Sequence, residues 1–154
     1  ASVDVGVQIA KALVISEKQF PWQRTGFDEV WYAIYGDHSR MHPKFWHKEI
    51  ANYFLAKSMH GNDWRIGFHY SPGQRVKTNG PVYGESVKDI LRPLSGREGF
   101  TYNVRISKKG TEKIFFAGQL SGNCATAEKL SAKLAWMINA TYPRFDELIQ
   151  SKFA

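Results

Sequence analysis

Residues 99–121 read Gly99-Phe100-Thr101-Tyr102-Asn103-Val104-Arg105-Ile106-Ser107-Lys108-Lys109-Gly110-Thr111-Glu112-Lys113-Ile114-Phe115-Phe116-Ala117-Gly118-Gln119-Leu120-Ser121. Phe100, Tyr102, Val104 and Ile106 alternate with Thr101, Asn103, Arg105 and Ser107, the period of two that gives a strand one buried and one wet face. Lys108, Lys109, Gly110 and Thr111 supply turn chemistry, with glycine free to take positive φ, and a second strand follows from Lys113 to Gln119. The segment reads as a hairpin with a basic tip. Past a polar Ser121-Gly122-Asn123 turn, Ala127, Leu130, Leu134, Met137, Ile138 and Thr141 recur at helical spacing up to Pro143, a stripe suited to covering one face of the hairpin.

With Tyr102, Val104, Ile106, Ile114 and Phe116 turned toward that helix, the free face carries Asn103, Arg105, Lys113, Phe115 and Gln119. Arginine pairs with guanine edges, asparagine and glutamine with adenine, lysine with phosphate, and a ring stacks on a base. The same residue types also make an ordinary solvated sheet face.

Charge favours the first reading. The 154-residue chain has a formal net charge of +7. Between Trp64 and Lys113 lie ten cations, Arg65, Arg75, Lys77, Lys88, Arg92, Arg97, Arg105, Lys108, Lys109 and Lys113, against the four acids Glu85, Asp89, Glu98 and Glu112, so this stretch holds +6 of the +7. A basic surface concentrated in one stretch favours an anionic partner, nucleic acid first and an acidic protein or membrane surface second. The nucleic-acid-contacting set predicted from charge and strand parity is Arg65, Arg75, Lys77, Arg92, Arg97, Asn103, Arg105, Lys108, Lys109, Lys113, Phe115 and Gln119.

Length and a 43% apolar composition suit one compact domain over residues 1–154, with a subdivision into a helical part, 1–62, and a sheet-plus-helix part, 63–154, as the alternative. In the first part, residues 5–16 read as a short helix, broken by Phe20-Pro21-Trp22. Thr25 caps a second helix, with Asp28 three residues on and Val30, Trp31, Ile34 and Tyr35 as its apolar side, ended by Gly36. Pro43 opens a third helix that Gly61 closes, carrying Trp46, Ile50, Tyr53 and Phe54 at the helical interval. Two such helices in succession raise a helix-turn-helix as a minor alternative. Residues 64–70 alternate as a strand, residues 71–81 hold the densest turn signals, and 82–93 read as a further strand, with 87–91 as a competing helical turn. The fold class expected is α+β: amino-terminal helices, then a small antiparallel sheet packed against a carboxy-terminal helix.

Cys124 is the single cysteine, so the chain forms no internal disulfide and lacks the paired thiols of a zinc module. The first residues lack a signal peptide's basic start and apolar core, and no run is long enough to span a bilayer, so an intracellular protein in cytoplasm, nucleoid or nucleus is expected. Asp37-His38-Ser39 are adjacent and so poorly placed to converge as a triad. His38, His42 and His47, with Asp37 or Glu49, offer a metal set that ranks below solvent-facing or capping histidines. Glu85 with Asp89, or Glu98 with Glu112, approximates a nuclease carboxylate pair outside any nuclease motif. No phosphate loop or dinucleotide fingerprint is present. No metal, cofactor or catalytic residue is assigned.

Taken as strand, strand, strand and helix, with Thr126-Ala127-Glu128 opening a helix that contains Ala132, Leu134 and Ala135, residues 85–142 resemble the three-stranded DNA-binding domain of plant ethylene-response factors. That domain also occurs in phage and mobile-element proteins. The resemblance implies a sheet in the major groove, with Arg105 and Lys113 as strand contacts and Lys108 and Lys109 on phosphates; the family's strand tryptophans are absent. Double-stranded-RNA-binding domains share the strand-to-helix order, but Thr126-Ala127-Glu128 stands where they carry a basic pair. The expectation is a non-enzymatic protein that binds nucleic acid, duplex DNA ahead of RNA, through the sheet face and basic turns. A metal-dependent nuclease or other nucleic-acid enzyme is the alternative, and an inhibitor or assembly factor docking on an acidic protein is the third reading.

Overall fold

The computed structural model describes residues 21–24, 29–34, 45–46, 51–58, 61–71, 80–108 and 110–153. Their order is β1 (Pro21–Arg24), β2 (Glu29–Ile34), β3 (Ala51–Ser58), β4 (Asp63–Tyr70), α1 (Gly80–Leu91), two short 3-10 turns, β5 (Thr101–Ile106), β6 (Glu112–Ser121), a third 3-10 turn and α2 (Ala127–Phe153). The strands form one antiparallel sheet in the order β1-β2-β3-β4-β6-β5. The α+β class and the helix after the hairpin are as expected.

The segments expected as the second and third helices are strands β2 and β3. The reason is visible in β3, where Tyr53 and Leu55 enter the main core while Phe54 and Ala56 enter a smaller cluster on the opposite face. A strand buried on both faces has no polar period, so its apolar run imitates a helical one. The helix-turn-helix alternative goes with these helices, and the helix expected at 5–16 lies outside the described residues. One sheet takes strands from both sides of residue 62, so that position is no boundary in the pairing.

Residues 80–91 correct a second expectation, since they are a helix and not a strand. Tyr83, Val87 and Leu91 recur every fourth residue and are buried while Glu85 and Asp89 between them are exposed, a division that a helix makes and that a strand, which would turn all five to one face, cannot. Residues 85–142 therefore run helix, strand, strand, helix, without the strand-strand-strand-helix order of the ethylene-response-factor resemblance.

In α2, Leu134, Met137, Ile138, Phe145 and Ile149 are buried, each contributing about 1.5–3 kcal/mol by leaving water. Thr126 caps its start by accepting from the Lys129 amide at 3.2 Å. The helix runs through Pro143 and does not stop there: the core contacts of Phe145 and Ile149 beyond it outweigh one lost backbone bond. Against α2 the sheet presents Tyr53, Leu55, Ile66, Phe68, Tyr70, Ile114 and Phe116, and Phe68 stacks on Phe145 at 4.5 Å between centroids. Both helices cover this one face.

Candidate functional site

Strand parity decides what the other face carries. With Ile114 and Phe116 against α2, the β6 residues Lys113, Phe115, Ala117 and Gln119 face away from it, and register places them beside Arg105, Asn103 and Thr101 of β5 and beside His69, Gly67 and Arg65 of β4. Toward β3 this face is closed, because Asn52, Phe54 and Ala56 are buried. Over β4, β6 and β5 it opens into a hollow of about 250 Å³.

A small residue lowers the floor of the hollow. Ala117 lies on it, while Gly67, its partner across β4, sits against the Phe54 ring. Phe115 on one side of Ala117, and Gln119 with Arg65 on the other, rise around it. Gly67 has no latitude: a Cβ there would lie 2.7 Å from the Phe116 carbonyl oxygen and 2.8 Å from both Ala117 Cβ and Phe54 Cζ. At the far end Gly99, at φ +77, and Gly118 line the wall. Lys133 of α2 comes up behind them, its Nζ donating to the Glu98 carbonyl at 2.6 Å and lying over the Phe100 ring at 4.9 Å.

Arg65, Asn103, Arg105, Phe115 and Gln119, all in the predicted contact set, line this hollow together, with Thr101 added by its register to Ala117. Among the described residues no carboxylate lines it. Each arginine lies over a phenylalanine, Arg105 over Phe115 at 5.3 Å and Arg65 over Phe54 at 5.7 Å, so each ring steadies the guanidinium above it. Lys113 stands directly across from Arg105. Like charges opposite one another on a sheet are unfavourable, and among the described residues no carboxylate pairs with either. An anion on this face relieves that repulsion.

The remaining predicted residues are elsewhere. Lys108 is exposed at the hairpin tip, in a turn closed by the Ser107 and Gly110 amides. Lys109, Arg75 and Lys77 lie outside the described residues, as do Asp37, His38, Ser39, His42, His47 and Glu49. Arg92 is bonded to Asp89 at 3.1 Å and lies over Tyr102, and Arg97 lies over Trp136 of α2. Both belong to the helix-covered side, where charge counting along the sequence could not separate them from Arg65.

Sequence reasoning missed His69 and Asn52, which lie buried beside Phe115 toward β3. Asn52 Nδ2 and His69 Nε2 are hydrogen-bonded at 3.0 Å. Extending the parity of Arg65 and Gly67 along β4 would have found His69.

Three of the four acids suggested as carboxylate pairs are bonded to cations. Glu85 and Glu112 both bond Lys88, at 3.1 and 2.6 Å, and Asp89 bonds Arg92. The Glu112 hydrogen bond, ahead of the opposing effect of burial, raises the Lys88 ammonium above the ordinary lysine value. Among the described residues no three of His, Cys, Asp and Glu converge as metal ligands, and no helix is long and apolar enough to cross a membrane. Cys124 is exposed in the turn before α2.

No protein-family model matches the sequence, and no curated protein matches it. Among solved structures, the crystal structure of YbjN from E. coli, described as a proposed transcription regulator, is similar with a TM-score of 0.47 and 9% identity, over 95% of this chain and 94% of that chain. The reading of the site rests on its own geometry.

Proposed function

We propose that this protein binds nucleic acid, seating the sugar-phosphate backbone on the open strip of β4, β6 and β5. The observation that carries the reading is the meeting of Arg65, Asn103, Arg105, Phe115 and Gln119, from three strands, in one hollow that no carboxylate among the described residues lines. Arg65, Arg105 and the adjacent Lys113 supply charge for phosphates, and phosphate contacts provide most of the affinity of such surfaces. Asn103, Gln119 and Thr101 supply the donors and acceptors that read base edges or sugars. The role is binding without catalysis, since the carboxylates Glu85, Asp89 and Glu112 are each engaged by a cation and lie outside the hollow.

Titration of the protein with a fluorescent oligonucleotide across a salt series tests this. Binding is expected to weaken steeply with salt, as counterion release requires, and to resist competition by polyglutamate at matched charge. Affinity that barely changes with salt, or equal displacement by polyglutamate, would refute the reading, the latter result favouring an acidic protein partner.

A further inference from the structure

We infer that the hollow is built for single-stranded nucleic acid, with an unpaired base stacked on the Arg105 guanidinium. This rests on the nucleic-acid reading above and goes against the duplex expected from sequence. That expectation assumed a small sheet entering the major groove. The strip observed is instead one part of a six-stranded sheet, flanked toward β3 by the buried Asn52, Phe54 and Ala56. The contact residues also lie in a recess, and a recess cannot insert into a groove. The ligand has to send a group into the protein.

An unpaired base does this. Its planar faces are free, and single-stranded sites recognise it by stacking on aromatic rings or arginine planes and by hydrogen bonds to its exposed edges. Arg105 over Phe115 at 5.3 Å is such a plane, held from beneath by the ring. Asn103 and Gln119 stand along the same hollow to meet base edges. Register fixes the direction of the strand as well. Arg105 lies opposite Lys113, and Arg65 lies opposite Gln119 further along β6; with about 3.4 Å per residue the two arginine backbones are roughly 20 Å apart along that strand. A single strand laid diagonally from β5 to β4 places one phosphate and the stacked base at the Arg105 and Lys113 end and a second phosphate at Arg65.

The test is anisotropy titration of the full chain with a mixed-sequence DNA strand of about 12 nucleotides, within the site sizes usual for single-strand binders, with its RNA equivalent and with the DNA duplex formed by its complement. Arg105→Ala and Arg105→Lys are compared with the parent, and folding is checked by thermal melting. Either single strand is expected to bind more tightly than the duplex. Arg105→Lys, which keeps the charge and loses the plane, is expected to weaken single-strand binding by roughly 5- to 100-fold, nearly as much as Arg105→Ala. If the duplex binds as tightly as the single strands, or if Arg105→Lys binds like the parent, this inference fails while salt-dependent binding keeps the broader one. If no nucleic acid binds, both fail.

Discussion

Tyr53 and Thr141 fasten β3 to α2 through a chain of two hydrogen bonds, and removing the two hydroxyls separately should cost unequal amounts. The Tyr53 hydroxyl lies 2.8 Å from Thr141 Oγ1, which lies 2.7 Å from the Met137 carbonyl oxygen. A carbonyl only accepts, so the Thr141 proton goes to Met137 and Tyr53 donates to Thr141. Both side chains are fully buried. In Tyr53→Phe the donor disappears and Thr141 keeps its own bond, so the loss is one net hydrogen bond, about 1 kcal/mol. In Thr141→Val the Tyr53 hydroxyl is left in the core without its acceptor, and the cost rises to about 2–3 kcal/mol. The double variant removes the stranded group as well and should cost about 1 kcal/mol, well below the sum. At this chain length each kcal/mol corresponds to a Tm shift of about 2–4 °C. Urea denaturation of the four proteins at constant m-value completes the cycle. Additive costs, within about 0.5 kcal/mol, would show that the two hydroxyls do not face each other and that β3 meets α2 in another register.

Two further perturbations test the packing. Burial pushes the Tyr53 and Tyr70 phenols well above the ordinary value of 10.0, and the Glu112 hydrogen bond raises Lys88 above 10.5. All three groups hold protons more tightly when folded, so their stabilisation is complete below the unfolded values and is lost as pH rises through the folded ones. Stability is expected to start falling above about pH 10, with Tyr53 and Tyr70 forming phenolate only as the protein unfolds. Phenolate absorbance that develops fully while near-ultraviolet dichroism remains native would contradict that burial. Gly67→Ala should destabilise by about 1–3 kcal/mol in thermal or urea unfolding, because its Cβ meets backbone and a facing strand that cannot yield. A Gly67→Ala protein as stable as the parent would mean that Phe54 does not close over β4.

Local patterning in the sequence was informative where an element buries one face and misleading where it buries two. The β5–β6 hairpin and most of α2 read correctly because each keeps a polar face to set the period, Thr101, Asn103 and Arg105 in one and Glu128 and Lys129 in the other. Strand β3 has no such face, and Trp46, Tyr53 and Phe54, which looked like a helical stripe, divide between two clusters. For the site, parity within the hairpin located Asn103, Arg105, Phe115 and Gln119. Charge counting added Arg65 and, by the same logic, Arg92 and Arg97, which stack on Tyr102 and Trp136 on the other side of the sheet. The depth of the hollow was not legible, because it depends on Arg65 of β4 meeting Gln119 of β6 across strands that are distant in sequence.

The central claim, that the hollow holds a nucleic-acid backbone, is tested most directly by the salt dependence of single-strand binding in the Arg65→Ala/Arg105→Ala protein against the parent. Each phosphate contact to a single strand contributes about −0.7 to the slope of log affinity against log salt. Loss of both arginines should therefore flatten the slope by about 1.4 while the melting curve stays close to the parent's. An unchanged slope and affinity in a folded double variant would place the binding surface somewhere other than β4, β6 and β5.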